Sequence, residues 1–145
     1  MRMRTSNSQH YYRGAAAVLM GTALNHFADR LLGVQIEAFS GGIGYFSPSW
    51  VLDMFLVPFL AGGFISLVYG RGGKWLSFFP PLIVRCASYF GIANHMIGMT
   101  PGSALMPIGW WGFYLILTIE AAMVGGVLGE VVIKRTYGRT ARQQP

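Results

Sequence analysis

A stretch of twenty residues, Trp50–Tyr69, carries one charged side chain, Asp53. A second stretch, Ile108–Ile133, carries two, Glu120 and Glu130. A helix needs roughly 20 mostly apolar residues to cross the hydrocarbon of a bilayer. Both stretches meet that test. Composition agrees: 53% of the 145 residues are hydrophobic and 11% are charged, against about 25% charged in soluble domains. Too little polar surface remains to cover a water-facing globule.

Two further segments read as helices with polar interruptions. Trp75–Met96 is apolar but contains Pro80, Pro81 and Arg85. Gly14–Leu32 opens as GAAAVLMGTAL and turns polar at Asn25, His26, Asp29 and Arg30. Glycine and proline punctuate the connections SGGIGYFSPS, RGGK and GMTPGSALMP. The expected fold is therefore all-α: one transmembrane domain, a four-helix bundle with helices near 12–36, 49–70, 75–97 and 107–134. Residues 1–11 and 135–145 read as polar, basic termini. A basic start followed by eleven apolar residues also fits a signal peptide. Leu24, Asn25 and His26 then stand where a small-residue cleavage site would be needed, so the segment is read as a retained helix.

Orientation follows from the cations. Four crossings place Arg2, Arg4, Arg13, Arg71, Lys74, Lys134, Arg135, Arg139 and Arg142 on one side. Arg30 alone falls on the other, and Arg85 lies within a helix. The positive-inside rule assigns the basic side to the cytoplasm, with both termini, in a cytoplasmic (inner) membrane. Trp50, Trp110, Trp111 and Tyr114 suit the outer interface, and Tyr11, Tyr12, Tyr69 and Trp75 the inner one.

The two halves share a faint pattern. Gly21, Asn25 and His26 parallel Gly91, Asn94 and His95; Pro48 and Trp50 parallel Pro107 and Trp110; Gly62-Gly63 parallels Gly125-Gly126. A parallel two-helix repeat accounts for this, as does chance within the small alphabet of membrane helices.

Ionisable groups away from water are costly and therefore informative. Arg85 and Glu120 come to similar depth on consecutive helices, which predicts an intramembrane ion pair. It would be either a titratable gate or a packing device. At the outer level, His26, Asp29, Asp53, Asn94 and His95 form candidate ligands for an ion or solute, with Glu37 in the adjoining loop. Imidazole and carboxylate can pass protons or hold cations. The same residues would also serve as an interfacial cap facing headgroups and water. Ala17, Gly21, Gly125 and Gly129 have the small-x-x-x-small spacing of close helix contacts. Pro58 should kink the second helix.

No metal-ligand signature, phosphate loop, nucleophile elbow or haem motif occurs. Catalytic residues, a bound metal and a cofactor are accordingly not expected, and the chain is not read as an enzyme. The single Cys86 supplies no internal disulfide. The basic residues form no continuous face with interleaved aromatics, so nucleic acid is not an expected partner. The expected partners are the lipid bilayer and either further copies of the chain or a larger membrane complex. The leading expectation is a small transport or channel component for a cation, proton-coupled solute or other small solute. The alternative is a non-transporting accessory subunit of a larger assembly.

Overall fold

The computed structural model describes residues 5–140, and the side chains of residues 9–136. Four helices are present among them. Helix α1 spans Thr5–Leu32. Helix α2 spans Pro48–Tyr69 and α3 spans Gly73–Ala93. Helix α4 spans Ile108–Thr140. The protein is all-α, and α2, α3 and α4 are each long and apolar enough to cross a membrane. Residues 1–4 and 141–145 of the expected basic termini lie outside the described residues. Thr5 to Tyr11, expected as a polar tail, already belong to α1.

Each helix boundary has a local cause. Gly33, at φ 64°, ends α1 at Leu32 rather than at the expected residue 36. Its N–H bonds Asp29 O at 3.0 Å, the single bond of a left-handed helix end. Ser47 caps α2 by accepting from Trp50 N–H at 3.2 Å, and Pro48 takes the first turn, where no N–H is missed. Leu52–Leu56 then wind as a π turn, with Val57 N–H on Leu52 O. Pro58 explains the widening. It has no N–H for Met54, and in a regular turn its ring would press on that carbonyl. Helix α3 breaks at Ser77 and Phe78 before Pro80 and Pro81. The break is held by Ser77 Oγ, which donates to Gly62 O at 3.2 Å or to Gly73 O at 3.0 Å.

Helices α2 and α4 run parallel in closest contact. A Cβ on Gly62 would strike the carbonyl of Ala122, and one on Gly125 would strike the carbonyl of Phe59. These contacts exchange when Phe59 and Gly62 are matched with Ala122 and Gly125. A Cβ on Gly129 would lie 2.7 Å from Gly63 O. In α1, Ala17 is fully buried, and a Cβ on Gly21 would lie 2.6 Å from Ile65 Cδ1. Gly21, Gly125 and Gly129 thus lie against neighbouring helices, and Ala17 is buried.

The loops at one end also pair. Strands β1 (Ala38–Phe39) and β2 (Ala104–Leu105) are antiparallel, with Ala38 opposite Leu105 and Phe39 opposite Ala104. Beneath the loops lies an aromatic core of Tyr45, Trp50, Tyr89, Trp111 and Tyr114 with Ile36, Met54 and Met106. This end is called the loop end below. The opposite, basic end carries Arg71, Lys74, Lys134 and Arg135. There Glu130 is buried and accepts from Gly72 N–H at 2.8 Å and Lys74 N–H at 3.2 Å. Large apolar side chains such as Leu19, Leu67, Ile83 and Val124 point outward from all four helices, which suits lipid rather than water.

Candidate functional site

Arg85 is the centre of the one buried charge cluster among the described residues. It comes from the middle of α3 and is 3% exposed. Its Nη2 donates to Asp53 Oδ2 at 2.9 Å and to Asp29 Oδ1 at 3.0 Å, and its Nη1 donates to Glu37 Oε1 at 3.3 Å. Three separate elements deliver the acids. Asp29 sits in the last turn of α1, just before the Gly33 stop. Asp53 sits in the π turn of α2. Glu37 lies in the α1–α2 loop, beside β1.

The loop position is tightly fixed. Glu37 O accepts from Met106 N–H at 2.9 Å. Tyr45 Oη donates to Ile36 O at 2.7 Å. Burial pushes the Tyr45 phenol up to about 12, so it remains a donor across the ordinary pH range. Gln35 ties this loop to the α3–α4 loop, donating to Gly98 O at 2.9 Å and accepting from Thr100 N–H at 3.1 Å. Tyr89 Oη reaches Met106 O at 3.2 Å from below.

The expected pair of Arg85 with Glu120 does not form. Rotation about the helix axis explains this. Thr118 and Ala122 of α4 face inward and are buried. Glu120, two residues from each, is turned about 200° away from both and is exposed. Arg85 instead extends toward the loop end, where three carboxylates meet it.

The candidates for ion or solute binding divide. Asp29 and Asp53 are brought together on one guanidinium nitrogen. His26 is exposed and lies beside them, accepting from Arg30 Nε at 3.2 Å. A cavity of about 370 Å³ is lined by His26, Asp29, Arg30, Glu37, Ser88 and Thr100, among others. Asn94 and His95 are exposed and stand apart from it. They terminate α3: Met96 N–H bonds Gly91 O at 2.8 Å, His95 N–H bonds Ile92 O at 3.0 Å, and His95 takes φ 57°. That double bond around a left-handed residue is a helix-ending motif. It explains why the matching Asn-His pairs of the two halves do not converge.

Hydrogen bonding among the described residues is incomplete in the cluster. Three carboxylates face one guanidinium. Asp53 is fully buried, and its Oδ1 has no hydrogen-bond partner among the described residues. A buried acceptor left unpaired is expensive. The carboxylates converge on the guanidinium, and among the described residues no group of three or more His, Cys, Asp or Glu side chains is arranged to hold a metal ion.

Sequence reasoning placed Glu37 near the cluster without giving it to Arg85, and it overlooked Gln35 and Glu130. Scarcity was the available signal. A membrane chain with five acids has few to spare, and each deserved a partner. Comparison with protein-family models, curated proteins and solved structures finds no match. Fold and site together define a membrane protein with a buried arginine–tricarboxylate cluster under a loop cover.

Proposed function

We propose that this chain is a small transport component of the cytoplasmic membrane that takes up a proton at the Arg85 cluster. The observation that carries this reading is the buried Asp53 Oδ1, which has no hydrogen-bond partner among the described residues, in a site where three carboxyl groups meet one guanidinium. Such a site lowers its energy by taking up positive charge. The cavity beside Asp29 and Glu37 supplies a route from the loop end. The π turn that presents Asp53 is a type of helix irregularity that recurs at functional sites. Intramembrane ionisable residues commonly mark ion pathways.

In this reading α1 is a fourth crossing. It packs against α2 and α3 and contributes Asp29 to the shared cluster, as a helix docked only at the surface would not. The basic end faces the cytoplasm, because Arg71, Lys74, Lys134 and Arg135 gather there. His26, at the cavity's edge, would meet the incoming ion first. The chain has no enzymatic role in this reading.

The test is flux into sealed vesicles. Purified protein is reconstituted with a pH-reporting dye inside, and a potassium gradient with valinomycin sets an inward driving force. The expected result is acidification that disappears in Asp53→Asn and persists in His95→Ala. Sodium and potassium uptake, measured in parallel, distinguishes a proton from another cation. Acidification no faster than in empty vesicles would sink the reading. A second reading, an assembly subunit of a larger complex, is favoured by Glu120, whose exposed carboxylate has no partner among the described residues.

A further inference from the structure

At the basic end of the bundle a groove of about 740 Å³ runs between α1 and the α2–α3 turn. One wall is the face of α1 that carries Tyr11, Gly14 and Val18, at helical spacings of three and four. Tyr69, Leu76 and Phe79 make the other wall. Gly14 forms the floor, because a Cβ there would lie 3.3 Å from Tyr69 Cε2 and 3.5 Å from Leu76 Cδ1. Apart from His10 and the tyrosine hydroxyls the lining is apolar. Leu19 and Phe79 stay exposed on its rims, so the groove opens sideways to hydrocarbon. From His10 to Leu19 it follows α1 for about 14 Å at 1.5 Å per residue. That is close to one leaflet, half of a hydrocarbon core of roughly 30 Å. Such a shape suits an acyl chain better than a water-soluble solute.

Three cations stand at the mouth. Arg13 Nη2 donates to Val68 O at 3.4 Å, which sets the guanidinium beside Tyr69. Gly72 lies against the same ring, since a Cβ there would be 3.7 Å from Tyr69 Cε1, and Arg71 precedes it. Lys74 follows in the same turn, with Nζ 5.6 Å from the Trp75 ring centre. None of the three makes an ion pair among the described residues, where every salt bridge belongs to Arg85. The acid that touches this turn, Glu130, is buried and accepts from the backbone N–H groups of Gly72 and Lys74. Most of the side-chain donors of Arg13, Arg71 and Lys74 therefore stay available to an outside anion. Cations at a helix end are ordinary in membrane proteins. What makes these a site is that they ring the mouth of a groove one leaflet deep, and basic pockets between helices bind anionic lipid headgroups.

We propose that this groove binds an anionic phospholipid of the leaflet at the basic end, one acyl chain lying between α1 and the α2–α3 turn and the phosphate held by Arg13, Arg71 and Lys74. The site lies at the opposite end of the bundle from the Arg85 cluster and stands whether or not that cluster takes up a proton.

The test uses the full chain in phosphatidylcholine bilayers carrying a trace of chain-spin-labelled phosphatidylglycerol or phosphatidylcholine. The fraction of label immobilised by the protein gives the relative affinity. The wild type should prefer phosphatidylglycerol about fivefold or more. Changing Arg13, Arg71 and Lys74 together to Gln should bring the preference close to parity. Changing Lys134 and Arg135 to Gln, at the same end but outside the groove, should leave it intact. Ala15→Trp, on the α1 wall, should expel the acyl chain and lower the immobilised fraction with every cation in place. All of these side chains are exposed or half-buried, so the fold does not depend on them. A wild type without preference would overturn the proposal. Equal loss from the Lys134 and Arg135 changes would overturn it in favour of diffuse surface charge. Undiminished binding in Ala15→Trp would overturn it as well, because the groove would then hold no chain.

Discussion

Asp53 and Arg85 meet at 2.9 Å across thirty-two residues, with the carboxylate fully buried and the guanidinium nearly so. The bond joins the π turn of α2 to the middle of α3, and Asp29 shares the same guanidinium nitrogen. Asp53 could not remain ionised in so dry a place without the arginine, because desolvation of an uncompensated charge outweighs what packing returns.

Removing Arg85 should therefore be among the most damaging single changes. Arg85→Met strands three carboxylates and should cost about 3–5 kcal/mol, read as lost thermal stability in detergent. Asp29→Asn and Asp53→Asn added to Arg85→Met should recover part of the loss, because the stranded charges go. If the triple variant is no more stable than Arg85→Met alone, charge is not what binds these elements.

The α2–α4 contact predicts a second sharp sensitivity. Gly62 and Gly125 each lie against a carbonyl of the facing helix, and neither site has room for a methyl group. Gly62→Ala and Gly125→Ala should each push the helices apart and lower folded yield severely. Gly109→Ala, on the same helix as Gly125 but with open space around it, should be tolerated. Similar yields for all three would mean that α2 and α4 are not in close contact.

What could be read from the residues follows a physical division. Three spans were legible because length and apolarity alone decide them, and Gly125 and Gly129 because close packing requires small side chains. Depth along a helix was legible too, which is how Asp29 and Asp53 came to be grouped. Rotation was not. Whether Glu120 faces Arg85 or lipid depends on which side of α4 Thr118 and Ala122 occupy, and every face of that helix is apolar. Glu37 was hidden for another reason. It reaches Arg85 because Gly33 turns the chain and β1 pairs with β2 across some sixty-six residues, and no local pattern encodes that pairing. His95 misled because an Asn-His repeat suggested a shared site, whereas its backbone is occupied in ending α3.

That role of His95 is testable. A left-handed backbone costs an L-residue roughly 1–2 kcal/mol relative to glycine, and His95 has φ 57°. His95→Gly should therefore leave the protein unchanged or raise its stability by about 1 kcal/mol. Gly33→Ala, at φ 64°, should lower it by a similar amount. Melting temperatures in one detergent measure both. A marked loss of stability with His95→Gly would show that its side chain does more than end a helix.

Topology gives the last prediction. The loops Gly33–Ser47 and Asn94–Pro107 pair through β1 and β2, so they share one side of the membrane. The turn at Arg71 is held by Glu130 of α4, near Lys134, so these basic residues share the other side. Helix α1 differs, because its polar last two turns keep it apart from the three clearly apolar spans. If α1 crosses, reporters fused before Met1 and after Pro145 should both register the cytoplasm, and one inserted within Ser40–Ser47 should register the opposite side. If α1 lies along the surface at the loop end, the reporter before Met1 will instead agree with the loop insertion. The buried contact of Asp29 with Arg85 argues for crossing, since α1 must enter the bundle to deliver that carboxylate at 3.0 Å.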